Sequence, residues 1–155
     1  MSGEGRCMRI RTNNRWGPLP EDVVCEFEAR HGISLPPDYR CFLLTHHGGV
    51  PEPNFYWVVP RNWGSGICNL YGFGDPDYNL EEYYGGRALI GVPDELLPIE
   101  DDGCCNYLCL DIRGQLLGHV YYVDCEYRPE DPEKVRHLAN SFNEFIGSLT
   151  ESPEH

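Results

Sequence analysis

The sequence predicts an α+β domain, an antiparallel meandering sheet covered by two N-terminal helices and a long C-terminal helix. Three observations carry that expectation. Residues 20–46 hold two helix-spaced apolar stripes punctuated by Pro and Gly. Residues 54–124 hold short aromatic and β-branched runs with turn residues between them. Residues 131–149 repeat apolar side chains at helical spacing. No helix-length segment separates the central runs, which argues against parallel βαβ units.

The elements follow in order. Residues 1–18 form a polar lead-in, in which Met8-Arg9-Ile10-Arg11 alternates and predicts an edge strand. Pro20, Glu21 and Asp22 suit a helix start and its dipole; Val23, Val24 and Phe27 share one face, and Gly32 supplies the left-handed stop. A second helix, 37–46, follows Leu35-Pro36 with Tyr39, Phe42 and Leu43 as its stripe, and Gly48-Gly49 closes it. His46-His47 sits where the dipole favours an imidazolium, so a capping role is expected. Residues 54–59 and 67–73 read as strands, and Gly64-Ser65-Gly66 between them as a loop. Residues 74–86 read as a loop with one helical turn at 80–84, followed by brief extended pieces at 89–92 and 96–99. The alternation of Leu108, Leu110 and Ile112 against Tyr107, Cys109 and Asp111 predicts a hairpin that turns at Arg113-Gly114-Gln115 and returns over 117–124. Asp131 and Pro132 then open the final helix, which carries Val135, Leu138, Phe142, Phe145, Ile146 and Leu149. Residues 19–150 thus form one domain, with 151–155 as a frayed tail.

A chain of 155 residues can bury about two-thirds of its unfolded surface, and 41% apolar residues supply a core. No apolar run approaches the roughly 20 residues of a membrane helix, and no apolar stretch follows the N-terminal arginines as in a secretory signal. A cytoplasmic protein is expected. Eight cysteines in a reducing compartment are then free thiols, and Cys25 and Cys41, among apolar neighbours, are expected to be buried. The formal net charge is −13. Residues 75–133 hold fifteen acids against three arginines, a local net of −12. Such a field repels nucleic acid and anionic membranes and attracts basic proteins.

Motifs for chemistry are weak. Cys104, Cys105 and Cys109 lack the paired spacing of a zinc site, even with His119 added from the facing strand, so no metal is assigned. There is no G-x-S-x-G, and Gly72-Phe73-Gly74-Asp75 lacks the third glycine of a dinucleotide site. Carboxylates abound without defined pairing, so neither a catalytic residue nor a cofactor is assigned and the chain is read as no enzyme.

Glu28 with Gly32, Leu35-Pro36, Tyr39, Phe42-Leu43 and Gly48-Gly49 form one ordered set of marks. Leu96-Leu97-Pro98-Ile99 leading to Asp101-Asp102-Gly103, then Leu110-Asp111 and Gly118-His119-Val120-Tyr121, form another. Over residues 24–146 this pattern resembles the SUKH superfamily, the cell-wall-assembly-regulator-like (SMI/KNR-type) domains. The chain departs from it at His46-His47, where Asn is common, and at Cys104-Cys105, where a Gly-rich pair is usual. The resemblance implies a scaffold without a shared catalytic residue and, in many bacterial members, an immunity protein that neutralises a toxin. Nuclease toxins approach a polyanion and are commonly basic, so an acidic inhibitor would meet them through complementary steering. The expected partner is therefore a cognate toxin of nuclease or deaminase type, or another basic protein, with no nucleic acid and no membrane. The expected contact set, chosen for charge density, loop character and tyrosines beside carboxylates, is Asp75, Asp77, Tyr78, Glu81, Glu82, Tyr83, Tyr84, Glu100, Asp101 and Asp102. The alternative is a small-ligand or regulatory domain with a cavity lined by Trp57, Tyr71 and Tyr121.

Overall fold

A computed structural model of the chain describes residues 9–11, 19–60, 62–74 and 77–153. It is α+β with antiparallel strand pairs. A short strand β1 (Arg9–Arg11) pairs with β2 (Val50–Glu52), as the alternation around Ile10 predicts; the rest of the lead-in lies outside the described residues. Helices α1 (Glu21–His31) and α2 (Pro37–His46) form the predicted hairpin. Gly32 is left-handed (φ 64°), and its N–H and that of Ile33 bond back to Ala29 and Glu28 carbonyls, which closes α1. The Glu28 carboxylate then spans the turn, accepting the Leu35 N–H at 2.8 Å and facing Arg40 Nε at 3.4 Å. Glu28→Ala leaves that N–H without its acceptor and should cost about 1 kcal/mol in urea unfolding, whereas Glu28→Gln, which keeps an oxygen there, should cost less.

α2 ends on His47 itself, at φ 59°, with Gly48 and Gly49 continuing at positive φ. His47 is buried, and its Nε2 accepts the Phe73 N–H at 2.9 Å, a role open only to an unprotonated nitrogen. The expected imidazolium cap is therefore replaced by a neutral ring that ties α2 to residues 70–73. Partial burial also pulls the His46 pKa down.

β3 (Phe55–Val59) pairs with β4 (Trp63–Gly66), so the expected loop at 64–66 is a strand. Gly64 permits this, since a Cβ there would lie 2.1 Å from the Tyr56 carbonyl oxygen. The expected strand over 67–73 forms no ladder. Its backbone bonds reach Asn54, Gly49, Ile99 and Tyr78 in turn, holding it extended between four segments.

Two short helices follow, α3 (Leu80–Gly85), which extends the predicted turn, and α4 (Arg87–Ile90). The extended piece expected at 89–92 is thus corrected. Arg87-Ala88-Leu89-Ile90 has good helix formers, and left-handed Gly91 (φ 88°) ends the turn. The main sheet is a meander, β5 (Leu96–Asp101), β6 (Asn106–Asp111), β7 (Val120–Asp124) and β8 (Val135–Ala139), in that spatial order. A bulge between Pro98 and Glu100 shifts the β5–β6 register, so Glu100 faces Leu108.

The long C-terminal helix is not formed. Residues 135–139 pair with β7, and only α5 (Phe142–Gly147) is helical. Val135 and Leu138 fit helical spacing, but residues 135–139 find backbone partners along β7, and a register shift sends Val135 to the smaller cluster and Ala139 to the principal core. Asp131 accepts the Glu133 N–H at 2.8 Å, an Asx turn into β8 that looks like a helix cap in sequence. The true cap is Ser141, whose Oγ accepts the Glu144 N–H at 3.0 Å while Glu144 accepts the Asn140 N–H.

The principal core joins Val24 and Phe27 of α1, Tyr39, Phe42 and Leu43 of α2, Leu97, Ile99, Leu108, Leu110, Val120 and Tyr122 of the sheet, and Phe142 and Phe145 of α5. Phe142 packs 5.1 Å from both Tyr39 and Phe42. Thr150 exchanges two backbone bonds with Phe55, 3.0 and 2.9 Å, and so ties the segment after α5 to β3. A smaller cluster on the sheet's other face gathers Val92, Leu96, Tyr107, Cys109 and Val123, with Tyr83 and Ile90 against it. Cys25 and Cys41 are exposed, contrary to expectation, because Val24, Phe27, Phe42 and Leu43 take the inward positions of their helices.

Candidate partner-binding surface

α3 and α4 sit over the smaller cluster and carry Leu89, the most exposed large apolar side chain among the described residues, at 93% exposure. Asn79 opens α3 by accepting the Glu82 N–H at 3.3 Å. The helix turns Leu80 and Tyr84 fully inward, which leaves Glu82 outward. Arg87 fixes α4. Its guanidinium lies 3.8 Å over the Tyr84 ring, donates to the Tyr84 carbonyl at 2.6 Å, and bonds the Asp94 carboxylate at 2.8 Å and carbonyl at 3.0 Å. A helix of four residues has little stability of its own, so this clamp and Gly91 are what hold Leu89 out.

A groove of about 420 Å³ runs between the two helices, lined by Asp77, Glu82, Tyr83, Gly86, Leu89 and Ile90. A second hollow of about 420 Å³ lies on the other side of α3, lined among others by Val23, Glu26, Phe73, Glu81 and Glu82. Glu82 therefore stands on a ridge between two hollows, the second of which also holds Arg30. Tyr83 lines the groove, with two buried rings behind it. Tyr83 stacks on Tyr71 (4.3 Å, 13°) and tilts toward Tyr107 at 6.3 Å. Tyr71 donates its O–H to Asp101 Oδ1 at 2.7 Å. Burial first, then the Asp101 carboxylate, raises the pKa of Tyr71 and Tyr83 and pushes that of Tyr107 up to about 12, so all three remain phenols.

The residues expected to form the contact set separate into groups. Asp77, Glu82 and Tyr83 line the groove, and Tyr78 is half-buried beside the principal core. Glu81 turns to the opposite side of α3 and is engaged by Arg30 and by His31 at 2.6 Å. Asp101 and Asp102 are half-buried and hold the β5–β6 turn, accepting the Gly103 and Cys104 N–H groups at 3.0 and 2.8 Å. Tyr84 and Glu100, each 1% exposed, are corrected to interior residues. Tyr84 faces Phe27 and His31 across the helix interface, and the bulge turns Glu100 to the core face. Asp75 lies outside the described residues. Leu89, Ile90 and Gly86 were not expected at the surface; the sole sequence signal was an apolar pair beside Gly91 amid acids. The rings named for an internal cavity have separate neighbours, Trp57 against Phe55, Tyr71 against Tyr83, and Tyr121 against His137.

The order of hairpin, meander and capped short helices meets an independent finding. A family model described as SMI1 / KNR4 family (SUKH-1) matches residues 18–148. The chain belongs to that family. The resemblance read over residues 24–146 is therefore confirmed, and the marks Glu28, Gly32, Gly48 and Asp101 acquire structural roles in this SUKH-1 domain. The domain is also similar to the SPbeta prophage-derived uncharacterized protein YokK of Bacillus subtilis (strain 168), 27% identical over 168 positions that span 96% of this chain and 80% of that protein. No helix among the described residues is long and apolar enough to cross a membrane.

Proposed function

We propose that this SUKH-1 domain is an immunity protein that binds a basic cognate toxin, of nuclease or deaminase type, and occludes it without chemistry of its own. The observation that carries the reading is Leu89, almost fully exposed on the wall of an acidic groove with Tyr83 in its lining. Leaving such a leucine in water has no benefit to a lone domain, whereas an apolar anchor beside the carboxylates of Asp77 and Glu82 suits the centre of an interface with a cationic partner. The acidic belt supplies attraction at a distance, and the groove supplies contact once the partner has arrived.

The test is a pull-down and titration against the protein encoded beside this one. Leu89→Asp should weaken binding by roughly 30-fold or more, as loss of a central anchor does. Glu82→Lys should weaken it about tenfold, mainly by slowing association, and should flatten the decline of affinity between about 50 and 500 mM salt. Binding that neither change disturbs, and that ignores salt, rules this surface out.

A further inference from the structure

We infer that His119 and His137 form a two-imidazole site for a borderline divalent metal of the Ni²⁺, Cu²⁺ or Zn²⁺ class. The site lies on the sheet, shares no residue with the lining of the α3–α4 groove, and stands independently of the toxin-binding reading. His119 Nδ1 and His137 Nε2 face each other at 3.1 Å. Two metal–nitrogen bonds of about 2.0–2.1 Å that meet at 90–110° place their nitrogens about 2.9–3.4 Å apart. The observed separation is the bite of a cis chelate. With a metal on those two nitrogens, His119 Nε2 and His137 Nδ1 keep the ring protons, so neutral imidazoles suffice.

The backbone holds this spacing. His119 precedes β7, with its N–H bonded to the Leu116 carbonyl and its carbonyl accepting the Asp111 N–H, both at 3.0 Å. His137 sits in β8 opposite Tyr121, and a register shift between Val120 and Tyr121 brings it beside His119. The Tyr121 ring packs edge-on at 5.5 Å from that of His137 and restrains its rotation. His137 is exposed and His119 half-buried, so water can reach the remaining coordination positions. No group of three or more His, Cys, Asp or Glu placed to hold a metal occurs among the described residues, so the protein contributes two ligands and solvent completes the shell. Sequence spacing set His119 against Cys104, Cys105 and Cys109; the fold gives it His137 instead.

Ni²⁺ is the suitable probe, because Cu²⁺ would oxidise the exposed thiols. Sub-stoichiometric Ni²⁺ should broaden the imidazole resonances of His119 and His137 ahead of those of His31 and His46. Calorimetric titration should find one site that His119→Ala and His137→Ala each weaken at least tenfold, while His46→Ala leaves it unchanged. The amide spectrum of each variant verifies that it is folded. Equal affinity in the wild type and both variants, or broadening centred on Cys104 and Cys105, overturns the assignment.

Discussion

Replacing Gly72 with alanine is expected to lower the unfolding free energy by about 3 kcal/mol. A Cβ at this position would lie 2.3 Å from the His47 carbonyl oxygen and 2.9 Å from the His47 ring. His47 cannot retreat at low cost. It is buried, it ends α2 in the left-handed region, and its ring accepts the N–H of the residue after Gly72. Gly48 is also tightly packed from the other side, with a Cβ position 2.7 Å from the Leu70 carbonyl oxygen. The end of α2 and segment 70–73 are therefore locked backbone against backbone, and a methyl group must part them. Gly85→Ala is the control of opposite sign, because nothing lies within 4 Å of its Cβ position inside α3. It should gain up to about 1 kcal/mol from helix propensity. Urea midpoints measure both, and a Gly72→Ala effect within about 0.5 kcal/mol of zero would refute the packing argument.

Glu100→Gln is expected to stabilise the protein above the ordinary carboxylate range by about 1–3 kcal/mol. Burial, reinforced by the negative charges of Asp101 and Asp102, holds the Glu100 carboxyl well above its usual pKa, against the opposing pull of the Cys68 N–H it accepts at 2.9 Å. In the unfolded chain the same group ionises near the ordinary glutamate value, about 4.3. Between that pH and the raised folded value, the native state keeps a proton that the unfolded state has released. Stability is thus fully present below the unfolded pKa and declines as pH rises through the window, by up to about 1.4 kcal/mol per unit. Glutamine preserves an acceptor for Cys68 and cannot ionise, so its stability curve should lack that decline. Urea unfolding from pH 4 to 8 decides the matter: parallel wild-type and variant curves would refute it.

The parts of the fold legible in sequence are those fixed by local chemistry. Pro20, Gly32, Leu35-Pro36 and Gly48-Gly49 punctuate α1 and α2 within about two residues of their observed ends. Strict alternation from 107 to 112 places β6 and its turn toward β7. What failed depended on distant partners. Residues 135–139 carry no clean alternation, and only the presence of β7 decides for a strand. Ser141-Phe142-Asn143-Glu144 is the local S-x-x-E signal that marks the start of the last helix. The site was partly legible. Acid density led to α3, but a single bulge after Pro98 reversed the facing of Glu100, and no local signal distinguishes exposed Leu89 from buried Leu80. Burial is a property of what packs on top, and the composition of one short helix does not encode it.

The paired backbone bonds between Phe55 and Thr150 bear on how the molecule is made during translation. The β3–β4 hairpin leaves the ribosome early, yet its stitch to the segment after α5 waits until residue 150 has emerged, and the meander likewise waits for β8. A nascent chain stopped before β8 would hold the helical hairpin and much of the apolar sheet without its last cover, so folding is completed late and a chaperone has a long interval in which to act.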